Sequence, residues 1–298
     1  MNPSGRCRGS GAARFVGYHG YMNRGKSCGA GAPEVREVSR QVGRRAAILS
    51  GLLSWVLAAG PAAAGDSGPL NVFAAASLTD LVNRLDDGFC TEQGRGPGCT
   101  RGVFGASSIL ARQVAQGAPA DVYLTAHEEW MDFLESSGRI EPGSRVVFAG
   151  NRLVVVQPVG ARVETDPIAA LSGGRIAVAD PDHVPAGRYA REALRSLGLW
   201  DTLGGQIIPA DNVRQALFLV ARGEVSAGIV YLSDALASAR VSVVAILPET
   251  LHSPIRYTAA VLRGGEPGAR EFVRFLGGPR AGVTLTELGF ETARASND

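Results

Sequence analysis

From Leu70 onward the chain alternates short runs rich in Val, Ile and Tyr with longer amphipathic segments, and this alternation narrows the possible folds more than any other feature. The runs Leu70–Ala74, Gly102–Phe104, Val122–Thr125, Arg152–Gln157, Ile176–Ala179, Gln206–Ile208, Ala227–Tyr231, Val243–Ile246 and Tyr257–Leu262 read as strands. Between them, Leu78, Leu81, Val82, Leu85 and Phe89 share one face of a helix, and Tyr189, Ala190, Ala193, Leu194 and Leu197 repeat that spacing. Repeated strand–helix units predict an α/β fold whose sheets are mainly parallel and flanked by helices. So many strands are generous for one open sheet, which predicts two lobes with the chain crossing between them more than once.

Upstream the pattern is different. Arg44 and Arg45 precede an apolar run from Ala46 to Ala59, which ends in Gly60-Pro61-Ala62-Ala63-Ala64. A basic flank, a short apolar core and small residues at its end read as a secretory signal cleaved near Ala64. The run is shorter than the ~20 apolar residues that span a bilayer, so a membrane anchor is the lesser reading. The arginine pair also admits twin-arginine export, with little support from its flanks. Residues 1–43 show no periodicity, and no Cys follows the apolar run to carry a lipid. Residues 1–65 are therefore expected to be a leader plus signal peptide, and the rest a free periplasmic protein.

Charge separates the same two parts. Residues 1–65 hold nine of the 30 basic residues and two of the 28 acidic ones, which leaves 66–298 with a net charge of −5. An acidic mature chain argues against general nucleic-acid binding. Of the four cysteines, Cys7 and Cys28 lie in the leader, while Cys90 and Cys99 bracket a Gly-rich stretch. In an oxidising compartment that pair is expected to form a disulfide. A metal site there is not, because no His or further Cys accompanies it.

The informative residues sit just before the helices. Ala74-Ala75-Ala76-Ser77-Leu78-Thr79-Asp80 joins the first strand to the first helix, with Ser77 placed as N-cap and Asp80 as its capping-box partner. Phe104-Gly105-Ala106-Ser107-Ser108 does the same after the second strand. Asp180 to Gly187 and Pro209-Ala210-Asp211-Asn212-Val213 lead into two further helices. In an open α/β sheet such turns gather at the carboxyl edge, where ligands bind. Helix N-termini present unpaired N–H groups and the positive end of the dipole, which suits anions. Each such turn alone is most simply a cap; four with small neighbours point toward an anion site without naming the anion.

These segments closely resemble the periplasmic molybdate-binding proteins of ABC importers. The matching stretches are Val72 to Thr79, Leu110 to Gln113, Gly117 to Val122, Trp130 to Asp132, Leu153 to Val156, Asp180 to Gly187, Asp211 to Arg214 and Gly228 to Tyr231. The resemblance implies the two-lobed type II periplasmic-binding-protein fold with the ligand in the cleft. One lobe would comprise 66–150 and 247–298, the other 151–246. It implies that Ser77 and Ser107, Ala186 and Val213 through backbone N–H, and Tyr231 through its phenol hold molybdate or tungstate. Ser108 stands as the alternative donor to Ser107. Molybdenum would be bound only as its oxyanion, with no cofactor and no charged side chain at these positions. The implied protein is a monomer that serves an ABC permease in the inner membrane. Sulfate, thiosulfate or phosphate remain alternative ligands, since anion size decides among them.

Other residues have plainer readings. His183 in its Pro-flanked turn reads as a structural hydrogen-bonder, and Asp180, Asp182 and Asp211 read as caps rather than metal ligands. Asp121 reads as structural, and Trp130, Met131 and Phe133 as core. An enzyme using Ser77 as nucleophile is disfavoured because no base accompanies it in any recognisable pattern. A ligand-sensing domain of a transcriptional regulator is disfavoured by the export signal and by the lack of a helix-turn-helix.

Overall fold

β1 (Leu70–Ala75) leads through one 3-10 turn into α1 (Thr79–Glu92), and β2 (Thr100–Gly105), α2 (Ser107–Ala115), β3 (Val122–Thr125), α3 (Glu128–Ser136) and β4 (Val146–Gly150) follow. A second run supplies β5 (Leu153–Pro158), α4 (Pro167–Ser172), β6 (Ile176–Ala179), α5 (Pro185–Ser196), α6 (Trp200–Leu203), β7 (Ile207–Ala210) and α7 (Val213–Ala221). It continues with β8 (Ala227–Tyr231), α8 (Leu232–Leu236) and β9 (Val241–Ile246). The chain returns as β10 (Arg256–Val261), α9 (Gly268–Leu276), α10 (Pro279–Glu287) and β11 (Glu291–Thr292). The computed structural model describes residues 68–161 and 165–293. The leader, the signal segment with its cleavage point near Ala64, and Cys7 and Cys28 lie outside the described residues. Among the described residues no helix is long and apolar enough to cross a membrane.

The strands form two sheets, ordered β11-β4-β10-β3-β1-β2 and β7-β6-β8-β5-β9. In the first, β1 pairs in parallel with β2 and β3, while β10 runs antiparallel to β3 and β4. In the second, β6 pairs in parallel with β7 and β8, while β5 runs antiparallel to β8 and β9. Both sheets are therefore mixed, and the mainly parallel pattern holds for β1–β3 and β6–β8. β4, β5, β9 and β10, which flank the two crossings between sheets at 151–152 and 247–255, all pair antiparallel, and β11 adds antiparallel to β4. Parallel pairing needs a crossover within one sheet, and strands that arrive from the other sheet are free of that requirement.

Burial follows the sequence pattern. In β5, Leu153, Val154, Val155 and Val156 are wholly buried, as a strand covered on both faces requires. The α1 stripe of Leu81, Val82, Leu85 and Phe89 is also buried, and the Phe89 ring meets Phe272 of α9 edge-on at 5.0 Å between centroids. Each such side chain stabilises the fold by about 1.5–3 kcal/mol, and Leu85→Ala would remove about 2–5 kcal/mol. Trp130 and Met131 are buried as expected, but Phe133 is 37% exposed. It lies near the solvent side of α3, edge-on to Trp130 at 6.0 Å. At the far end of α1, Cys90 and Cys99 are joined by a disulfide with Cα atoms 5.7 Å apart.

Candidate functional site

The parallel strands of both sheets end on one small shared cavity. Ala75, Ala76 and Ser77 reach it after β1, Gly105, Ala106 and Ser107 after β2, and Ala126 after β3. From the other sheet come Val184, Pro185 and Ala186 at the start of α5, Asn212 and Val213 at the start of α7, and Tyr231 at the end of β8. All five residues singled out by resemblance, Ser77, Ser107, Ala186, Val213 and Tyr231, thus line the same space. No lining residue is charged. Its free volume, about 10 Å³, is far below the ~300–1,000 Å³ typical of pockets for organic ligands, so it leaves room for no more than one small group.

Local geometry explains how each group arrives there. The 3-10 turn Ala76–Leu78 delays α1, whose N-cap position is Leu78, so Ser77 is not the cap that its sequence neighbours suggest. Its hydroxyl is buried and lies 2.9 Å from Tyr257 Oη instead. Asp80 likewise makes no capping box; it pairs with Arg214. Ser107 opens α2 without a side-chain cap bond. Its Oγ accepts the Ala126 N–H at 3.3 Å, and its carbonyl accepts from Tyr123 Oη at 2.8 Å. Ser108 is wholly buried, but its hydroxyl has no protein partner and it does not line the cavity.

In α5, Pro185 occupies the first turn, where its missing N–H costs nothing. A Cβ on Gly187 would lie 2.1 Å from the Ala179 carbonyl, so only glycine lets this turn press against the end of β6. In α7, Asn212 is the true cap and accepts the Gln215 N–H at 3.1 Å. That fixes the helix start with Val213 at its first position.

Tyr231 is the most telling side chain. Its hydroxyl is buried and has no hydrogen-bond partner in the protein, although a buried phenol normally finds one. Burial, reinforced by Tyr257, Tyr189 and Asp234, holds its pKa well above the usual phenol value, so it remains a donor.

Charged groups lie around the cavity rather than in it. Arg214 donates through Nε to Asp234 Oδ1 at 2.5 Å and through Nη2 to Asp80 Oδ2 at 2.6 Å. Burial opposes its charge, yet Asp234 and Asp80 outweigh that and raise its pKa. Arg188 of α5 pairs with Glu129 of α3. Tyr189 Oη donates to the Ala126 carbonyl at 3.2 Å, and its ring packs on His127, whose pKa is lowered by burial and then by Arg188.

The residues given plainer readings stay outside the cavity. His183 Nδ1 lies 3.3 Å from Asp180 Oδ1, and Asp180 accepts the Asp182 N–H. Asp211 is tied by its backbone to Gln215. Asp121 accepts the N–H groups of Asn71 and Glu266. Arg214, Tyr257 and Asn151 are parts of the site's surroundings that the sequence reading missed. Their partners lie 134, 180 and 106 positions away, beyond any local pattern.

Known proteins share this architecture. The chain is 43% identical over 236 residues to the molybdate-binding protein ModA of Escherichia coli (strain K12), covering 76% of this chain and 91% of that protein. It is 36% identical over 231 residues to ModA of Haemophilus influenzae, covering 75% and 90% respectively. The solved periplasmic molybdate-binding protein of Azotobacter vinelandii has the same fold, with a TM-score of 0.69 and 24% identity over 76% of this chain and all of that one. A family model described as bacterial extracellular solute-binding protein matches residues 70–291. Two α/β sheets meeting at a small uncharged cavity, together with these matches, establish that the chain belongs to the bacterial extracellular solute-binding protein family.

Proposed function

We propose that the protein is a transport receptor that encloses one molybdate ion, or tungstate, and hands it to an ABC-type permease in the inner membrane. The observation that carries this reading is the Tyr231 hydroxyl, buried without a protein partner at a cavity ringed by helix N-termini from both sheets. Ser77, Ser107 and Tyr231 would offer hydroxyls, and Ala186 and Val213 backbone N–H groups. Hydrogen bonds to a charged group contribute roughly 1.5–3 kcal/mol each, so several together offset the desolvation of a small dianion. Donors from both sides favour the closed arrangement, so ligand shifts an open–closed equilibrium.

In this reading 66–150 with 247–298 forms one lobe and 151–246 the other, and the mature chain, cut near Ala64, works in the periplasm as a monomer. It is a receptor and not an enzyme: the Ser77 hydroxyl faces Tyr257, a phenol whose pKa is raised by burial, rather than a base. Calorimetry of the mature protein against molybdate, tungstate, sulfate and phosphate tests the assignment. Molybdate and tungstate should bind tightly; strong sulfate binding without molybdate heat would transfer the role to another tetrahedral oxyanion.

A further inference from the structure

The group that holds Ser77 is itself held from the point where the chain first crosses between sheets. Asn151 lies between β4 and β5, and its Oδ1 accepts the Arg152 N–H at 2.9 Å. That contact identifies which end of the amide is oxygen, so Nδ2 faces the opposite way. Nδ2 lies 2.8 Å from Ser233 Oγ and 3.3 Å from Tyr257 Oη. An amide nitrogen only donates, so both oxygens accept. Tyr257 Oη then has one proton left to place, and Ser77 Oγ lies 2.9 Å away. Burial, then Asp234, raises the Tyr257 pKa, which keeps that proton in place.

Ser77 Oγ is the acceptor left for that proton among the hydrogen bonds of Tyr257 Oη, and with Tyr257 donating there the Ser77 proton is free to point elsewhere. Ser77 lines the cavity. We propose that Asn151 and Tyr257 form a directional relay, Asn151 Nδ2–H to Tyr257 Oη–H to Ser77 Oγ–H, that aims the Ser77 proton at the bound oxyanion. The proposal rests on the oxyanion reading of the cavity and adds two positioning residues to it. Without the relay the Ser77 hydroxyl rotates, and its proton can turn back toward the protein. With it, the reorientation cost is removed before the ion arrives, which is preorganisation in a neutral form.

A double-mutant cycle read by molybdate titration tests the relay. Tyr257→Phe keeps the ring and removes the donor, so the variant should fold, and a thermal melt checks that it does. In the otherwise wild-type protein it should weaken molybdate binding about tenfold, the scale of one hydrogen bond to a charged group. In the Ser77→Ala background the same change should alter affinity by less than about twofold, because no proton is left to aim. Equal losses in both backgrounds, or no loss in the first, would overturn the relay while leaving the oxyanion site intact. A wild-type protein that binds none of the tetrahedral oxyanions would remove the site and the relay together.

Discussion

Arg214 Nη2 lies 2.6 Å from Asp80 Oδ2 and joins the first turn of α7 to the first turn of α1 across the cleft. Arg214 directly follows Val213, yet it does not line the cavity. Asp234 holds its Nε and Asp80 its Nη2, so its charge is neutralised beside the cavity.

This pair should act on ligand release. Asp80→Asn removes the contact across the cleft and leaves Arg214 anchored on Asp234. Because the pair is partly exposed, the change should speed molybdate release up to about fivefold with little effect on capture. Stopped-flow displacement measures both rates, and an unchanged release rate would make the pair a bystander.

Ser77→Ala and Tyr231→Phe should each weaken molybdate binding about tenfold to a hundredfold, since each removes a donor to a charged ligand. Tyr231→Phe should leave the melting temperature of the ligand-free protein unchanged or higher. Its hydroxyl is buried without a protein partner, so deleting it removes a desolvated group and no bond. Titration calorimetry with a thermal melt separates the two effects; undiminished affinity in both variants would misplace the site.

Asp234 should impose a pH signature on stability. Burial, partly offset by Arg214, pushes its carboxyl up from 3.8 to about 6. The folded state then holds this proton more tightly than the unfolded chain, so its contribution is fully present below pH 3.8 and lost as pH rises through about 6. Relative to Asp234→Asn, the wild type should lose up to about 3 kcal/mol between pH 4 and pH 7. Urea unfolding across that range gives the difference, and a flat profile would assign Asp234 an ordinary pKa.

Reduction of the Cys90–Cys99 bond should lower stability by about 2–3 kcal/mol, the scale of a short closed loop. Ligand affinity should barely change, because Cys99 precedes β2 whereas the cavity lies beyond its other end, at Gly105. Denaturant unfolding with and without reductant, paired with titration, checks both halves of this statement.

What the sequence revealed follows from how local each signal is. The α1 stripe, the β5 run and the small-residue turns before α2, α5 and α7 were legible because their cause lies within a few neighbouring residues. The resemblance named the five lining residues by position. Ser77 was misjudged as a cap because a 3-10 turn and a capped α-helix start share the same residue types. Phe133 was misjudged because helix periodicity alone does not tell which flank of α3 faces its neighbour. The antiparallel strands, the Arg214 pairs and the Asn151–Tyr257 contacts depend on residues from distant parts of the chain meeting, and no local pattern encodes that.

The position of β10 has a consequence for how the molecule matures. Although late in sequence, it sits between β3 and β4 in the six-stranded sheet. As the chain emerges from its amino end, the five-stranded sheet is complete once β9 appears, while the other half must wait with a gap at its centre. Such distant pairings carry a loop-closure cost that slows assembly. Tyr257, whose hydroxyl lies 2.9 Å from Ser77 Oγ, is on that late strand, so the hydroxyl cluster beside the cavity is completed only once β10 slots into its gap.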